Sequence, residues 1–184
     1  MSEAVPIIEA RGLSKRFTRK LDLAGRIAAR LGMGVKEETV HAVDNVSFAI
    51  KRGEVVGLVG ESGCGKSTLG RMIAGLIEPS RGTVLVKGRD RATLQGNEAK
   101  QARLAVQMIF QDPFASLNPR IRIETIIGEA PVVHGLVPKR QVGAYVDDLL
   151  RQVGLDPEFR RRYPHQFSGG QRSRIGIARA LAVK

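Results

Sequence analysis

Several residue types are scarce in this sequence. The 184-residue chain contains no tryptophan, one cysteine and only 4% aromatic residues. A single cysteine excludes an intramolecular disulfide and a four-cysteine zinc site, and the few aromatic rings argue against a single-strand nucleic-acid platform built on base stacking. No apolar run approaches the length of about 18 residues that a transmembrane helix needs. The first twelve residues hold Glu3 and Glu9 and no apolar stretch, so a secretory signal is not expected.

Acidic residues are also in the minority. Lys and Arg number 30 against 18 Asp and Glu, which gives a formal net charge of +12. This balance favours anionic partners, namely a nucleotide, nucleic acid or an anionic membrane face. The length and the 42% apolar fraction are typical of one globular domain that buries a core.

The apolar pattern changes along the chain from strand-like to helical. Strands are predicted over residues 5–17, 46–50, 55–59, 82–88 and 104–110, of which 55–59 and 104–110 have the continuous apolar character of buried parallel strands. After Pro119 the spacing becomes helical. Helices are predicted around Leu69 to Leu76, Val142 to Val153 and Ile175 to Ala182. This order predicts an α/β core with a helical insertion.

Residues 18–38 differ in character from their surroundings and are interpreted as an insertion. Leu23, Ile27 and Leu31 follow one another at four-residue spacing, and Asp22 stands where it could cap a short amphipathic helix. Such a helix could touch a membrane. The alternative, which is favoured, is a surface element whose three apolar residues pack on the domain.

The strongest motif is Gly60-Glu61-Ser62-Gly63-Cys64-Gly65-Lys66-Ser67, which fits G-x-x-x-x-G-K-[ST] between an apolar strand and a helix. Its glycines let backbone N–H groups approach phosphates, and the helix start adds free donors. Lys66 supplies a charge for the β- and γ-phosphates, the Ser67 hydroxyl can bind Mg²⁺, and Thr68 offers a further phosphate contact. Cys64 is either a reactive thiol in an electropositive loop or a small residue tolerated at a variable position.

A second glycine-rich helix start lies about a hundred residues downstream, at Phe167-Ser168-Gly169-Gly170-Gln171-Arg172. Ser168 can cap the helix while the two glycines expose N–H groups, which makes another anion site. Taken alone, this motif predicts only a helix cap. Together with the phosphate loop it indicates a nucleotide-binding protein.

The two motifs resemble those of the ATP-binding subunit of an ABC transporter. Residues 167–171 are similar to the Leu-Ser-Gly-Gly-Gln signature of that family, and Gln111 matches its Q-loop glutamine. Phe17 stands where the family has an aromatic residue, usually tyrosine, that stacks on adenine; an ordinary strand aromatic is the alternative. The string from Phe110 to Arg120 resembles the dipeptide, oligopeptide and nickel importer branch. Gln166 and Ser173 depart from that branch, where Glu and Gln are expected.

The resemblance implies a P-loop NTPase (RecA-like) α/β core, an antiparallel β subdomain and a helical ABC subdomain. It implies ATP and Mg²⁺ as cofactors, with Ser67 and Gln111 as metal-binding residues. Catalytic roles fall to Lys66, Gln111, Ser168, Gly170 and Gln171. The nucleotide would contact a larger set, which comprises Phe17, Gly60, Glu61, Ser62, Gly63, Cys64, Gly65, Lys66, Ser67 and Thr68.

The same resemblance implies partners and a location. A second ATP-binding subunit would pair head to tail, so that Ser168, Gly170 and Gln171 act on the partner's nucleotide. Permease subunits would dock on the helical stretch 116–165, which places the protein peripherally on the cytoplasmic face of the membrane. No direct contact with nucleic acid is expected. The family domain would cover residues 5–184 as a partial domain.

After the signature helix the family pattern continues with an apolar strand ending in Asp-Glu, the Walker B motif, which the sequence up to Lys184 does not contain. We therefore expect a truncated domain without its C-terminal core strands, with exposed apolar strand edges and very slow hydrolysis. The main function predicted is ATP-driven import of peptides or related solutes. The alternatives are a soluble ABC-type ATPase acting on nucleic acid and a non-hydrolysing nucleotide-binding remnant.

Overall fold

The computed structural model describes residues 5–19, 38–112 and 116–184. The chain divides into two compact units, Met1–Val106 and Gln107–Lys184. The amphipathic helix predicted within residues 18–38 lies outside the described residues. Of the stretch 18–38, only residues 18, 19 and 38 are described, and they belong to strands.

The first unit is built on an antiparallel sheet with the strand order β2-β1-β3-β4. The strands are β1 (Ile8–Arg19), β2 (Glu38–Ile50), β3 (Arg81–Val86) and β4 (Arg89–Asp90). The central strand β1 pairs with β2 from Ile8↔Ile50 to Arg19↔Glu38, with irregularities between Ala10 and Arg16. β2 is therefore much longer than the predicted strand 46–50, because its first half also finds a hydrogen-bonding partner in β1.

In the described part of this unit two α-helices accompany the sheet, α1 (Lys66–Ala74) and α2 (Gly96–Ala105), with a 3₁₀ turn at Arg91–Thr93. Leu69 and Met72 of α1 are buried against sheet residues that include Leu13 and Val43. Gly75 ends α1 in the left-handed conformation. Leu76, which the periodicity places on the buried face, lies beyond this stop and remains 54% exposed.

Two of the predicted strands do not form. Leu104 and Ala105 lie in α2, so the predicted strand 104–110 is wrong over its first part, and residues 107–110 join no ladder. Residues 55–59 are not in a strand either, and Val55 and Val59 are 97% and 93% exposed. An extended segment needs a neighbouring strand to satisfy its N–H and C=O groups. The described residues provide no such neighbour for either segment, since every ladder there is antiparallel and involves only the four strands β1, β2, β3 and β4.

The second unit is helical in the residues described. It contains α3 (Ile123–Val133), α4 (Val142–Gln152) and α5 (Gly169–Leu181), with single 3₁₀ turns at Lys139–Gln141, Pro157–Arg161 and Pro164–Gln166. Their inward faces form one core. Its largest fully buried side chains include those of Ile123, Ile127, Val146, Leu150 and Ile175. The predicted helices at 142–153 and 175–182 are confirmed, and Gly154 follows the former with a φ of 69°.

Polar contacts join the helices around this core. Tyr145 of α4 donates its hydroxyl to the carbonyl of Ala182 at 2.9 Å. Arg160, in the turn Pro157–Arg161, lies 3.3 Å from a carboxylate oxygen of Glu124 and 3.2 Å from one of Asp147. These two ion pairs link the turn to α3 and to α4. Within the described part of the chain, no helix combines the length and the apolar character needed to cross a bilayer.

Candidate nucleotide site

Two glycines of the loop adopt a left-handed backbone conformation, with positive φ, that residues with a side chain rarely take. Gly63 has a φ of 84° and Gly65 a φ of 95°. Gly65 also lies directly against strand β2, because a Cβ built on it would stand 2.1 Å from the carbonyl oxygen of Ala42. Both its conformation and its neighbour therefore require glycine at this position. The contact seats the loop on the edge of the sheet just before α1.

The Lys66 side chain folds back over this loop. Its ammonium donates to the carbonyl oxygens of Gly60 and Glu61, both at 2.6 Å, and lies 3.5 Å from the Cys64 sulfur. The positive charge is thus held inside the ring of loop atoms. Phosphate oxygens can replace the carbonyls as acceptors, because the lysine ammonium is a rotatable group with three donors.

The start of α1 lacks a side-chain cap. Its N-cap residue is Gly65, which makes no side-chain cap hydrogen bond, and the first turn carries no acidic residue. The N–H groups and positive dipole end at this terminus are therefore available to an anion. Ser67 in the first turn is exposed and Thr68 is half-buried. Helix α1 begins directly after Gly65, as predicted, whereas the strand predicted before the loop at residues 55–59 does not form.

Phe17 belongs to the same unit as the loop. It pairs with Val40 of β2, two residues along the strand from Ala42. The loop packs on Ala42, and a strand rises about 3.3 Å per residue, so the aromatic ring and the phosphate loop border the same stretch of β2. The side chain of Phe17 is 46% exposed. Its position therefore suits contact with a ligand held by the loop.

The second glycine-rich helix start has a different construction. The Ser168 hydroxyl accepts a hydrogen bond from the backbone N–H of Gln171 at 3.3 Å, and Oε1 of Gln171 accepts one from the N–H of Ser168 at 3.0 Å. This reciprocal pair is a capping box, and it confirms that Ser168 caps the helix. The hydroxyl hydrogen of Ser168 and the amide NH₂ of Gln171 can still donate to an anion.

The segment before this helix is braced in a similar way. Oε1 of Gln166 accepts a bond from the N–H of Tyr163 at 2.8 Å, and Nε of Arg172 donates to the carbonyl of Pro164 at 2.8 Å. Gln166 is one of the two departures from the importer branch. A carboxylate could accept the Tyr163 bond equally well, so the substitution preserves this turn.

Gln111 is exposed and belongs to the second unit, whereas Lys66 belongs to the first. The catalytic residues predicted by resemblance are therefore divided between the two units. Residues 60–68 and Phe17 lie in the first unit, while Gln111, Ser168, Gly170 and Gln171 lie in the second. The chain just before Gln111 borders the signature helix, since Ile109 and Phe110 line a small cleft with Gly176 and Arg179 of α5.

Arg179 was not selected from the sequence. It donates Nη1 to the carbonyl of Ser116 at 2.7 Å, and burial lowers the pKa of its guanidinium, which remains protonated at neutral pH. It ties the signature helix to the segment that follows the Q-loop. Arg179 also lines a groove of about 510 Å³ whose other walls include Ile121, Ile126, Val133 and His134. The contact was not visible in the sequence because the two residues are 63 positions apart.

Comparison with known proteins assigns the chain to a family. A family model described as ABC transporter matches residues 43–184. The chain belongs to the ABC transporter family. An oligopeptide transport ATP-binding protein of Bacillus subtilis (strain 168), AppF, is 48% identical over 178 residues, which cover 96% of this chain and 51% of that protein. A probable peptide ABC transporter ATP-binding protein of Sinorhizobium fredii, y4tS, is 52% identical over 145 residues, 79% of this chain and 41% of that protein.

Solved structures agree with this assignment. The ATP-binding cassette MJ0796, a dimer in a post-hydrolysis state bound to ADP and Pi, matches with a TM-score of 0.71 and 28% identity over 95% of this chain and 69% of that one. The expected α/β fold class is therefore confirmed. This ABC transporter chain spans about half the length of the curated relatives it matches.

Proposed function

We propose that this ABC transporter chain is the ATP-binding part of an importer subunit for peptides or related solutes. The observation that carries the proposal is the loop of residues 60–68. Its glycines have the required conformation, its lysine ammonium lies within the loop, and the helix behind it begins without a side-chain cap. Relatives named as oligopeptide and peptide transport proteins, at 48% and 52% identity, support the class of solute.

Each predicted site residue of the first unit has a proposed chemical role. The loop amides and the start of α1 hold the polyphosphate, Lys66 balances the charge of the β- and γ-phosphates, and Phe17 stacks on the base. Glu61, Ser62 and Cys64 contribute backbone N–H groups as members of the loop, and Thr68 adds a hydroxyl. ATP supplies the phosphoryl group whose transfer to water provides the energy of transport.

Mg²⁺ fits this site as a companion of the nucleotide. No cluster of three or more His, Cys, Asp or Glu side chains converges anywhere in residues 5–19, 38–112 and 116–184. Mg²⁺ commonly uses few protein ligands and keeps waters and substrate phosphates instead. The exposed Ser67 hydroxyl in the first turn of α1 is such a ligand, and Gln111 is proposed as a second.

The signature residues are proposed to act on the nucleotide of a second ATP-binding subunit. The Ser168 hydroxyl, the Gly170 N–H and the Gln171 amide can each donate to a phosphate while the capping box holds their positions. The solved relative MJ0796 is dimeric, which supports a paired arrangement. A site divided between two subunits explains why one chain carries two separate anion-binding helix starts.

The helical stretch 116–165 is proposed as the subdomain that docks the permease. The groove beside Arg179 combines the apolar side chains of Ile121, Ile126 and Val133 with polar ones that include Glu129 and His134, and its lining residues all belong to the second unit. An amphipathic helix of a membrane subunit fits a groove of this kind. The chain would then work peripherally at the cytoplasmic face of the membrane.

The proposed ATP site is tested by the variant Lys66→Ala, with ATP binding measured by calorimetry in the presence of Mg²⁺. Removal of the charge that faces the phosphates should weaken binding at least about 10-fold, because charge-assisted bonds each contribute roughly 1.5–3 kcal/mol. Lys51→Ala is the control, since Lys51 is another lysine of the first unit, is exposed and precedes the loop by nine residues. Equal ATP affinity in the parent and in Lys66→Ala would reject the proposal.

A further inference from the structure

An unassigned lysine lies over the aromatic ring of the candidate site. The ammonium of Lys15 is 5.3 Å from the centre of the Phe17 ring. This distance is within the range of about 6 Å over which a cation is attracted to the face of an aromatic ring. The two residues are i and i+2 on β1, so their side chains share one face of the strand.

A second contact fixes the position of this ammonium. Lys15 Nζ donates to the carbonyl oxygen of Glu78 at 2.7 Å. Glu78 lies just after Gly75, which ends α1, and Lys15 is half-buried. The side chain therefore spans from β1 to the segment behind α1 and is held at both points. A flexible surface lysine would have no such anchor.

We propose that Lys15 is a positioning residue for base binding, which holds and polarises the Phe17 ring so that the base of the nucleotide stacks on the ring face turned away from the ammonium. This inference rests on the proposed function, since it takes ATP as the ligand of the loop. Lys15 touches the ring and not the nucleotide. It acts on the base only through Phe17.

The physical reason lies in the ring's quadrupole. An aromatic ring is negative on both faces, so two stacked ring systems repel one another wherever those faces overlap directly. A cation on one face draws electron density toward itself and leaves the opposite face less negative. Phenylalanine also lacks the hydroxyl with which a tyrosine could anchor itself, so the orientation of the ring depends more on its neighbours.

The test compares two ligands of the full 184-residue chain, ATP and tripolyphosphate, which has the phosphates but no base. In Lys15→Met, which keeps the length of the side chain without its charge, ATP binding should weaken about two- to five-fold while tripolyphosphate binding stays unchanged. Lys15→Arg should restore ATP binding, because it supplies a cation at the same place. Lys51→Met serves as the matched control and should change neither affinity.

A double-mutant cycle with Phe17→Ala separates action through the ring from any other effect. Once the ring is removed, Lys15→Met should have no further effect on ATP binding. Unchanged or tighter ATP binding in Lys15→Met, an equal loss for both ligands, or an undiminished effect without the ring would each overturn the role of Lys15. If Lys66→Ala leaves both affinities intact, the phosphate site itself fails, and that result is distinct from a failure of Lys15 alone.

Discussion

The two glycine-rich helix starts of this chain solve the same problem in opposite ways. At α1 the N-cap is Gly65, without a side-chain cap, and the loop is held by a close approach to Ala42 of a distant strand. At α5 the N-cap is Ser168, and the helix start is satisfied by its own Gln171. The first site depends on tertiary packing and leaves its donors open. The second is completed by residues within the same turn.

This difference indicates where each site is vulnerable. At Gly65 the loop before α1 has no room for an added carbon, because this residue lies directly against the Ala42 carbonyl of β2. A substitution at the start of α5 should lower the free energy of unfolding only by the contribution of one cap hydrogen bond, because each of these bonds is local. Three substitutions, in order of decreasing effect, test this contrast.

The largest effect is expected from Gly65→Ala. The new Cβ would meet the Ala42 carbonyl at 2.1 Å, and the φ of 95° is unfavourable for alanine. Strain and overlap together should lower the free energy of unfolding by about 3 kcal/mol or more, as measured by urea denaturation. Gly63→Ala is the control, since its φ of 84° is similar but its Cβ would meet nothing within 4 Å. It should cost only about 1–2 kcal/mol. Equal losses in the two variants would show that packing on β2 does not set the loop.

An intermediate effect is expected from Ser168→Ala. The helix loses the acceptor of the Gln171 N–H, so the free energy of unfolding should fall by about 1 kcal/mol. Ser168→Gly is the informative comparison, because glycine at an N-cap leaves the donors accessible to water and should cost only a few tenths of a kcal/mol. If both variants cost as much as Gly65→Ala, the start of α5 is not locally determined.

The smallest effect is expected from the other half of the capping box. Gln171→Ala removes the acceptor of the Ser168 N–H and should destabilise the protein by about 0.5 kcal/mol. Gln171→Glu keeps an acceptor and adds a negative charge at a helix N-terminus, so it should stabilise the protein by about 0.3 kcal/mol. The same charge would repel a phosphate. A stabilised Gln171→Glu chain that fails to support nucleotide-dependent pairing would therefore separate capping from ligand binding, whereas a destabilised one contradicts the capping role.

The sequence predicted those parts of the fold whose causes are local. The helix at 142–152 could be predicted because its apolar residues recur at helical spacing and a glycine follows it. Prediction from the sequence failed where a hydrogen-bonding partner elsewhere in the chain decides whether a strand forms. Residues 55–59 have the composition of a buried strand, yet no described strand pairs with them, and Leu104 and Ala105 continue a helix. An apolar run records only that a segment avoids water, and the hydrogen-bonding partner is a separate requirement.

The sequence by itself determined which chemical groups stand at the two helix starts, because motif spacing and residue type place glycines, a lysine and a serine there without reference to the rest of the chain. Only the tertiary structure decided which atoms those residues meet. It placed Ala42 against Gly65, the Lys15 ammonium over Phe17 and Arg179 on the Ser116 carbonyl. The Ala42 and Arg179 contacts join residues 23 and 63 positions apart, and even the Lys15–Phe17 pair depends on the carbonyl of Glu78 to hold the ammonium in place. Such distances in sequence are closed by packing, and no local pattern encodes them.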